Sequence, residues 1–330
     1  MYSLADYGNM IADDERMRAY LAALERVVKP GSAVLDLGAG TGIFSLHACR
    51  LGARRVYAIE PNPAIRLLPE LARRNGFADR IEVFSKKSSD VTLPEQVDVI
   101  VSDLRGASPL FAGHLRIIRD ARDRFLRAGG ALLPQRDTMM ACLVSAPDLY
   151  KNLVGPWQAQ GFDLQPCIDE VLSSTFADRG EPLLPKHCVS ELGEWASIDY
   201  STLEDDRVEG SCVLRCDRDV VVHGIGTWFR SNLWDDVGFE NAPGSNLVYR
   251  RLLLPWPEPT WLKAGTAVKF HINALPASDD YLFAWTTQVA GGPHFKQSNF
   301  LGVQAGVWGQ HGAKLGHHGG SLFPSASGKP

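Results

Sequence analysis

The sequence predicts an α/β protein: a parallel sheet covered by helices over the first 134 residues, followed by an all-β region. Three observations carry this expectation. Apolar runs alternate with helical patterns as far as Pro134; glycines punctuate the end of the first apolar run; and beyond Pro134 apolar or alternating runs succeed one another between Pro, Gly and Asp. A chain of 330 residues exceeds what one core ordinarily serves. Two domains are therefore expected, residues 1–134 and 135–315, with a tail over 316–330.

In order, "SAVLDLG" (32–38) reads as a strand and "IFSLHACRLG" (43–52) as a helix closed by glycine. "RVYAIE" (55–60) is a second strand, and "AIRLLPELARRNG" (64–76) a second helix, interrupted by Pro69. "RIEVFS" (80–85), "VDVIVSD" (97–103) and "GALLP" (130–134) complete the series, with the helix "HLRIIRDARDRFLRAGG" before the last. Past Pro134, "TMMACLVSA", "SCVLRC", "DVVVHGIGTWFR", "NLVYRRLLL", "TAVKFHIN" and "YLFAWTTQVA" predict the strands of a barrel or sandwich. Mixed, partly helical sequence interrupts them over 150–185. The Gly-, His- and Ser-rich end reads as a flexible tail beyond Leu315, with His311, His317 and His318 solvated rather than bound to metal.

The composition, 45% hydrophobic and 22% charged, is that of an ordinary globular protein. A formal charge of −4 gives no basic footprint for nucleic acid or an anionic membrane. No run reaches the ~20 apolar residues needed to cross a bilayer. Residues 1–30 lack the apolar run of a secretory signal, and Cys49, Cys142, Cys167, Cys188, Cys212 and Cys216 contain no C-x-x-C pair. The expectation is a cytoplasmic protein with free thiols.

"VLDLGAGTG" (34–42) is the most informative run. It ends a strand in glycines that let the backbone approach a ligand, and it opens a helix whose N-terminus faces that ligand. The dinucleotide spacing G-x-G-x-x-G fails because position 43 is Ile. Asp36 lies inside the run, where a carboxylate can meet a cationic amino group. Glu60 ends the next strand, 18 residues after Gly42, placed to accept hydrogen bonds from two ribose hydroxyls. Glycines with Asp36 and Glu60 fit S-adenosyl-L-methionine (SAM) on a Rossmann-like sheet better than a nicotinamide dinucleotide.

Taken with "YGNMIADDERMRAY" near the start, "YKNLVGPWQAQGFDLQPCID" (150–169) and "CVLRCDRDVVVHGIGTWFR" (212–230), this run resembles the protein arginine methyltransferase family over nearly the whole chain. The first stretch is similar to the family's M-L-x-D-x-x-R helix, which folds over SAM. The resemblance implies that Arg16 pairs with the SAM carboxylate and that Met10 lies near the sulfonium. It implies glycine-loop contacts from Asp36, Gly38 and Gly40, and a ribose contact from Glu60. The family's adenine-contacting Val-Glu pair falls on Ser88 and Ser89, so adenine recognition is altered there or carried by backbone. Residues 150–185 resemble the arm through which these enzymes form head-to-tail homodimers, and the following strands resemble the family's barrel.

The acceptor loop departs from the family. Methyl transfer is an in-line displacement at the sulfonium methyl, so positioning carries much of the catalysis. A guanidinium is a difficult nucleophile, always protonated and delocalised. The family pattern S-E-W-M-G-x-x-L-x-x-E supplies two glutamates that grip it bidentately. In "SDLRGASPLFA" (102–112), Ser102 and Gly106 match, Asp103 takes the first glutamate's place as the candidate catalytic residue, and Ala112 takes the second's. Leu104 and Arg105 replace the Trp-Met pair, and the family's Thr-His-Trp loop falls near Leu247, Val248 and Tyr249, without its histidine. Arg105 reads as a clamp for a substrate anion or as a surface ion pair. His114 reads as a helix-start histidine facing solvent or packing locally, ahead of a general base.

The expectation is a SAM-dependent methyltransferase acting on a nitrogen or oxygen nucleophile of a peptide, protein or small metabolite, not on standard protein arginine. The alternatives are residual arginine methylation through Asp103 and a catalytically silent SAM-binding scaffold.

Overall fold

A computed structural model of the chain describes residues 2–159, 161–177, 182–278 and 280–300. The tail expected beyond Leu315, with His317 and His318, and His311 before it lie outside the described residues.

Five strands form a parallel sheet: β1 (Ala33–Leu37), β2 (Arg55–Ile59), β3 (Ile81–Phe84), β4 (Val97–Ser102) and β5 (Leu126–Leu133), in the order β3-β2-β1-β4-β5. Every residue of β1 is buried, which explains its unbroken apolar run around the single Asp36. The accompanying helices are α1 (Leu4–Ala12), α2 (Asp14–Val27), α3 (Ile43–Arg50), α4 (Leu68–Arg74) and α5 (His114–Phe125). Strand order reverses between β1 and β4, where Leu37 pairs with Ser102. Loops leaving two such neighbours diverge, and the crevice between them is where this kind of sheet binds ligands. The glycine run and the acceptor loop leave these two strands.

Two elements of this parallel half differ from the sequence reading. Residues 64–76 are not one helix: a 3-10 turn over Pro63–Leu67 leads into α4. Pro69 lies in the first turn of α4, where its missing N–H removes no helical bond. The last parallel strand begins at Leu126, not Gly130. The buried stripe of α5 (Leu115, Ile118, Ala121, Phe125) ends at Phe125, and Leu126 is already extended.

The rest of the described chain is antiparallel. β6 (Arg136–Val144), the insertion α6 (Pro147–Gln158) and α7 (Gln165–Leu172), β7 (Phe176–Ala177), β8 (Gly193–Asp199), β9 (Val208–Arg215), β10 (Val220–Trp234), β11 (Val237–Glu240), β12 (Leu252–Leu262), β13 (Ala267–Ala277), β14 (Asp280–Val289) and β15 (His294–Ser298) follow in turn. They make a six-stranded sheet, β7-β12-β10-β6-β8 with β11 on β10, and a four-stranded sheet, β15-β14-β13-β9. "NLVYRRLLL" is strand only from Leu252. Ahead of it Tyr249 and Arg251 bury polar groups that bond to Asp103 and to the Asn241 and Ala242 carbonyls, which pulls the chain out of a ladder. One contiguous apolar core joins both halves, from Tyr20, Leu35 and Ile100 to Phe229, Trp256 and Trp285.

Candidate active site

The β1–β2 side of the crevice is built on glycines. Gly38, Gly40 and Gly42 all have φ in the left-handed region, at 77°, 57° and 88°. Neighbours close in as well: a Cβ on Gly38 would stand 2.2 Å from Leu104 Cδ2, and one on Gly40 2.6 Å from Tyr7 Cε1. Tyr7 belongs to α1, a helix that buries none of its own side chains.

Asp36 lies under this loop, and its Oδ2 accepts hydrogen bonds from Ser45 N (2.9 Å) and Ser45 Oγ (2.6 Å), tying β1 to the first turn of α3. Burial pushes its carboxyl up to about 6, against those two bonds. Glu60 follows β2; its Oε2 accepts from Gly40 N (3.1 Å) and its Oε1 from Asn62 N (2.6 Å). Neither carboxylate has an arginine or lysine partner among the described residues. Ser88 and Ser89 lie on a 3-10 turn after β3; the Ser88 carbonyl accepts from Arg124, and Ser89 Oγ donates to Asp90. The Met10 carbonyl accepts from Arg16 Nη1 at 3.0 Å.

The β4 side is different. Asp103 Oδ2 accepts from Arg16 Nε (2.6 Å) and Tyr249 Oη (2.5 Å), and Oδ1 accepts from Arg105 Nε (3.2 Å). Burial opposes this charge, but Arg16 and Arg105 outweigh it and hold the carboxyl below its usual range. Arg105 is fully enclosed. Its Nη1 donates to Asp137 Oδ1 (2.9 Å) and Ser231 Oγ (2.6 Å), and its Nη2 donates to Tyr20 Oη. The rings of Phe229, Phe239, Tyr249 and Tyr20 surround the guanidinium at 5.2, 5.3, 5.6 and 5.9 Å. Burial disfavours its charge, and Asp137 with its other neighbours more than offsets that, so it stays protonated.

The chain of polar contacts continues inward. Tyr200 Oη donates to Asp137 Oδ2 at 2.6 Å and lies 3.1 Å from His114 Nε2. With the tyrosine proton on the Asp137 side, His114 Nε2–H is the donor to Tyr200 Oη, which leaves Nδ1 as a buried acceptor without a partner among the described residues. Burial and the Arg105 charge push His114 down to about 3. At the outer end, Asp13 caps α2 through Arg16 N and accepts from Val248 N at 2.8 Å, fixing the segment that carries Tyr249.

One sequence reading is corrected here and another is narrowed to packing. Arg105 is neither a surface ion pair nor an open clamp, because Asp137 faces it from β6 and draws it into the core. His114 does not face solvent; it packs edge-on against Tyr200, with ring centroids 5.4 Å apart. Ala112 is exposed at φ 47° and brings no carboxylate to the site. Sequence reasoning missed Tyr20, Asp137, Tyr200 and Ser231. The one available signal was Asp137, a lone acid leading the apolar run "TMMACLV".

The model of the family described as "Ribosomal protein L11 methyltransferase (PrmA)" matches residues 17–131. The chain is 30% identical over 278 residues to "Arginine N(omega)-methyltransferase" of Streptomyces achromogenes subsp. streptozoticus, covering 80% of this chain and 74% of that protein. "Protein arginine N-methyltransferase 6" of Xenopus tropicalis is 30% identical over 285 residues, 81% of this chain and 83% of the relative. The chain spans about half the length of two other curated relatives, from Dictyostelium discoideum (46%) and Arabidopsis thaliana (52%). Among solved structures, the "Trypanosoma brucei PRMT1 enzyme-prozyme heterotetrameric complex with AdoHcy" aligns with a TM-score of 0.82. That alignment covers 88% of this chain and 96% of the other at 22% identity, a likeness of fold.

Proposed function

The chain belongs to the protein arginine methyltransferase family, and on that premise we propose that it is an active SAM-dependent methyltransferase whose acceptor is a nitrogen or oxygen nucleophile other than a protein arginine guanidinium. One observation carries the second clause: three internal donors occupy Asp103, the remaining loop carboxylate. A carboxylate has about four lone-pair sites, so one position remains on Oδ1. That suffices to orient a single N–H or O–H of a neutral acceptor. It does not suffice for a bidentate grip on a cation.

The β1–β2 side fits the cofactor. Two buried carboxylates without a counter-ion among the described residues, beside a backbone kept bare by Gly38 and Gly40, suit a ligand that brings its own ammonium group and ribose hydroxyls. In this reading Asp36 faces the amino group, Glu60 holds the ribose, and Ser88 and Ser89 border the adenine. Met10 and Arg16 approach from the N-terminal helices, and Tyr7 covers the loop against water. Bound SAM supplies an electrophilic sulfonium methyl. The chain's own part is to fix the line of approach, for which Asp103, kept ionised, orients the acceptor.

Residues 1–134 would then form the SAM-binding domain and 135–315 the β-barrel domain. The insertion α6–α7 would form the contact between two copies in a homodimer. α6 buries none of its side chains and Phe162, between the helices, is 76% exposed. A cytoplasmic location suits the six free thiols.

The relatives' names favour a second reading, arginine methylation, which requires Arg16 to leave Asp103. Labelled SAM separates the two when offered with arginine-rich peptides, with free arginine, and with a pool of amine, imidazole, hydroxyl and carboxylate metabolites. We expect label in the pool and none on guanidinium nitrogen. Label on arginine that Asp103→Ala abolishes would establish the second reading. Cofactor binding without transfer to anything would make the chain a silent scaffold.

A further inference from the structure

The six cysteines take no part in the chemistry above, and two of them meet. Cys142 Sγ and Cys188 Sγ lie 3.1 Å apart. No other pair of cysteine sulfurs hydrogen-bonds among the described residues. Both residues are set on fixed backbone. Cys142 belongs to β6 and is fully buried. Cys188 lies where the chain returns to β6, bridged antiparallel to Val144, with Ser145 N donating to His187 O (2.8 Å) and Val189 N to Leu143 O (3.0 Å). A disulfide requires the sulfurs to close by about 1 Å.

We propose that Cys142 and Cys188 form a redox-responsive dithiol that closes to a disulfide and staples the root of the α6–α7 insertion. The 45 residues between them contain both helices and the two-residue β7, so the bond joins the point where the insertion leaves β6 to the point where it returns. This inference is independent of the acceptor proposed above.

The two thiols differ in a way that orders the reaction. Cys188 is half-buried, and the hydrogen bond from Cys142, against the effect of burial, lowers its thiol. Pairing and burial push Cys142 up. Cys188 is therefore the attacking thiolate and Cys142 the resolving one. With a low-molecular-weight disulfide such as oxidised glutathione, Cys188 Sγ attacks one sulfur, forms a mixed disulfide and expels one glutathione thiolate. Cys142 Sγ, giving its proton to solvent, then attacks Cys188 Sγ and expels the second. Two protein thiols are oxidised to one disulfide, and one glutathione disulfide is reduced to two thiols.

The test treats the full chain with oxidised glutathione, counts thiols in denaturant, and maps peptides without reduction. We expect the count to fall from six to four. A linked Cys142–Cys188 peptide should form, and dithiothreitol should reverse it. Closing a loop of this length should raise Tm by about 5 °C or more. The rise should be absent in Cys188→Ser and kept in Cys212→Ser. Linkage to another cysteine, a mixed disulfide that persists at Cys188, or no linked peptide at any oxidant ratio would overturn the proposal. Peptide mapping needs only the natural chain, so a variant that fails to fold does not stop the test.

Discussion

Asp36 and Glu60 on the β1–β2 side of the crevice, and Asp103 and Asp137 on the β4 side, are all nearly closed off from water. Among the described residues only the second pair has arginine partners. Removing an ion from water carries a penalty of several kcal/mol, about as much as a good partner returns. A fold therefore tolerates a buried carboxylate in two ways. It can neutralise the charge internally, as Arg16 and Arg105 do, or hold it on backbone N–H groups and let it wait for a cation from outside. The first arrangement stabilises a structure and leaves no net charge to grip a second cation. The second gives up some stability and makes a binding site. Charge balance thus separates the side proposed for the cofactor from the side that is neutralised internally.

The sharpest way to break this contrast is to unbalance the closed side. Arg105→Met places the family's apolar residue there but leaves Asp137 as an uncompensated buried charge. We expect a loss of about 3–5 kcal/mol in denaturant unfolding, partly recovered when Asp137→Asn is added. An unchanged midpoint would show that the network is not neutralising anything.

On the open side the expected effects fall on binding instead. Glu60→Gln should weaken SAM by about 10- to 100-fold, the worth of charge-assisted hydrogen bonds of about 1.5–3 kcal/mol, with little change in the apo protein's Tm. Calorimetry checks this, and unchanged affinity would remove Glu60 from the site.

Asp36 adds a pH signature. Its carboxyl, raised to about 6, takes up a proton below that value, and only the ionised form attracts an ammonium group. SAM affinity should therefore fall by about tenfold per pH unit below about 6, and Asp36→Asn should flatten the profile. For stability the sign is the reverse. The folded protein holds this proton more tightly than the unfolded chain, so this group's contribution is fully present at low pH and is lost as pH rises through 6.

The smallest effect belongs to Tyr249→Phe, which removes one of the three donors on Asp103. A loss of about 1 kcal/mol in stability is expected, and acceptor turnover reports whether the freed lone pair changes specificity.

The backbone of the proposed cofactor side was legible in the sequence. The need for glycine at positions 38, 40 and 42 is a backbone property written into those positions, and Glu60 is reached by counting along one strand-helix-strand unit. The acceptor side was legible only in its losses. The missing second glutamate could be read at Ala112, but not the fate of Arg105. Its partners Tyr20, Asp137 and Ser231 come from a helix and two strands, up to 126 residues away. The fold itself shows the same division. The parallel strands β1 to β4 followed from their apolar runs, whereas the start of β12 was misplaced because Tyr249 and Arg251 bond to Asp103 and to the Asn241 carbonyl instead of a ladder.

By itself the sequence determined the alternation of elements, the left-handed glycine turns and the identity of the carboxylates, because periodicity and φ preference act over a few residues. Only the tertiary structure decided which carboxylates would be neutralised. Charge compensation acts between atoms that meet in space, and neither the Arg105 cage nor the Cys142–Cys188 contact has a counterpart in local pattern.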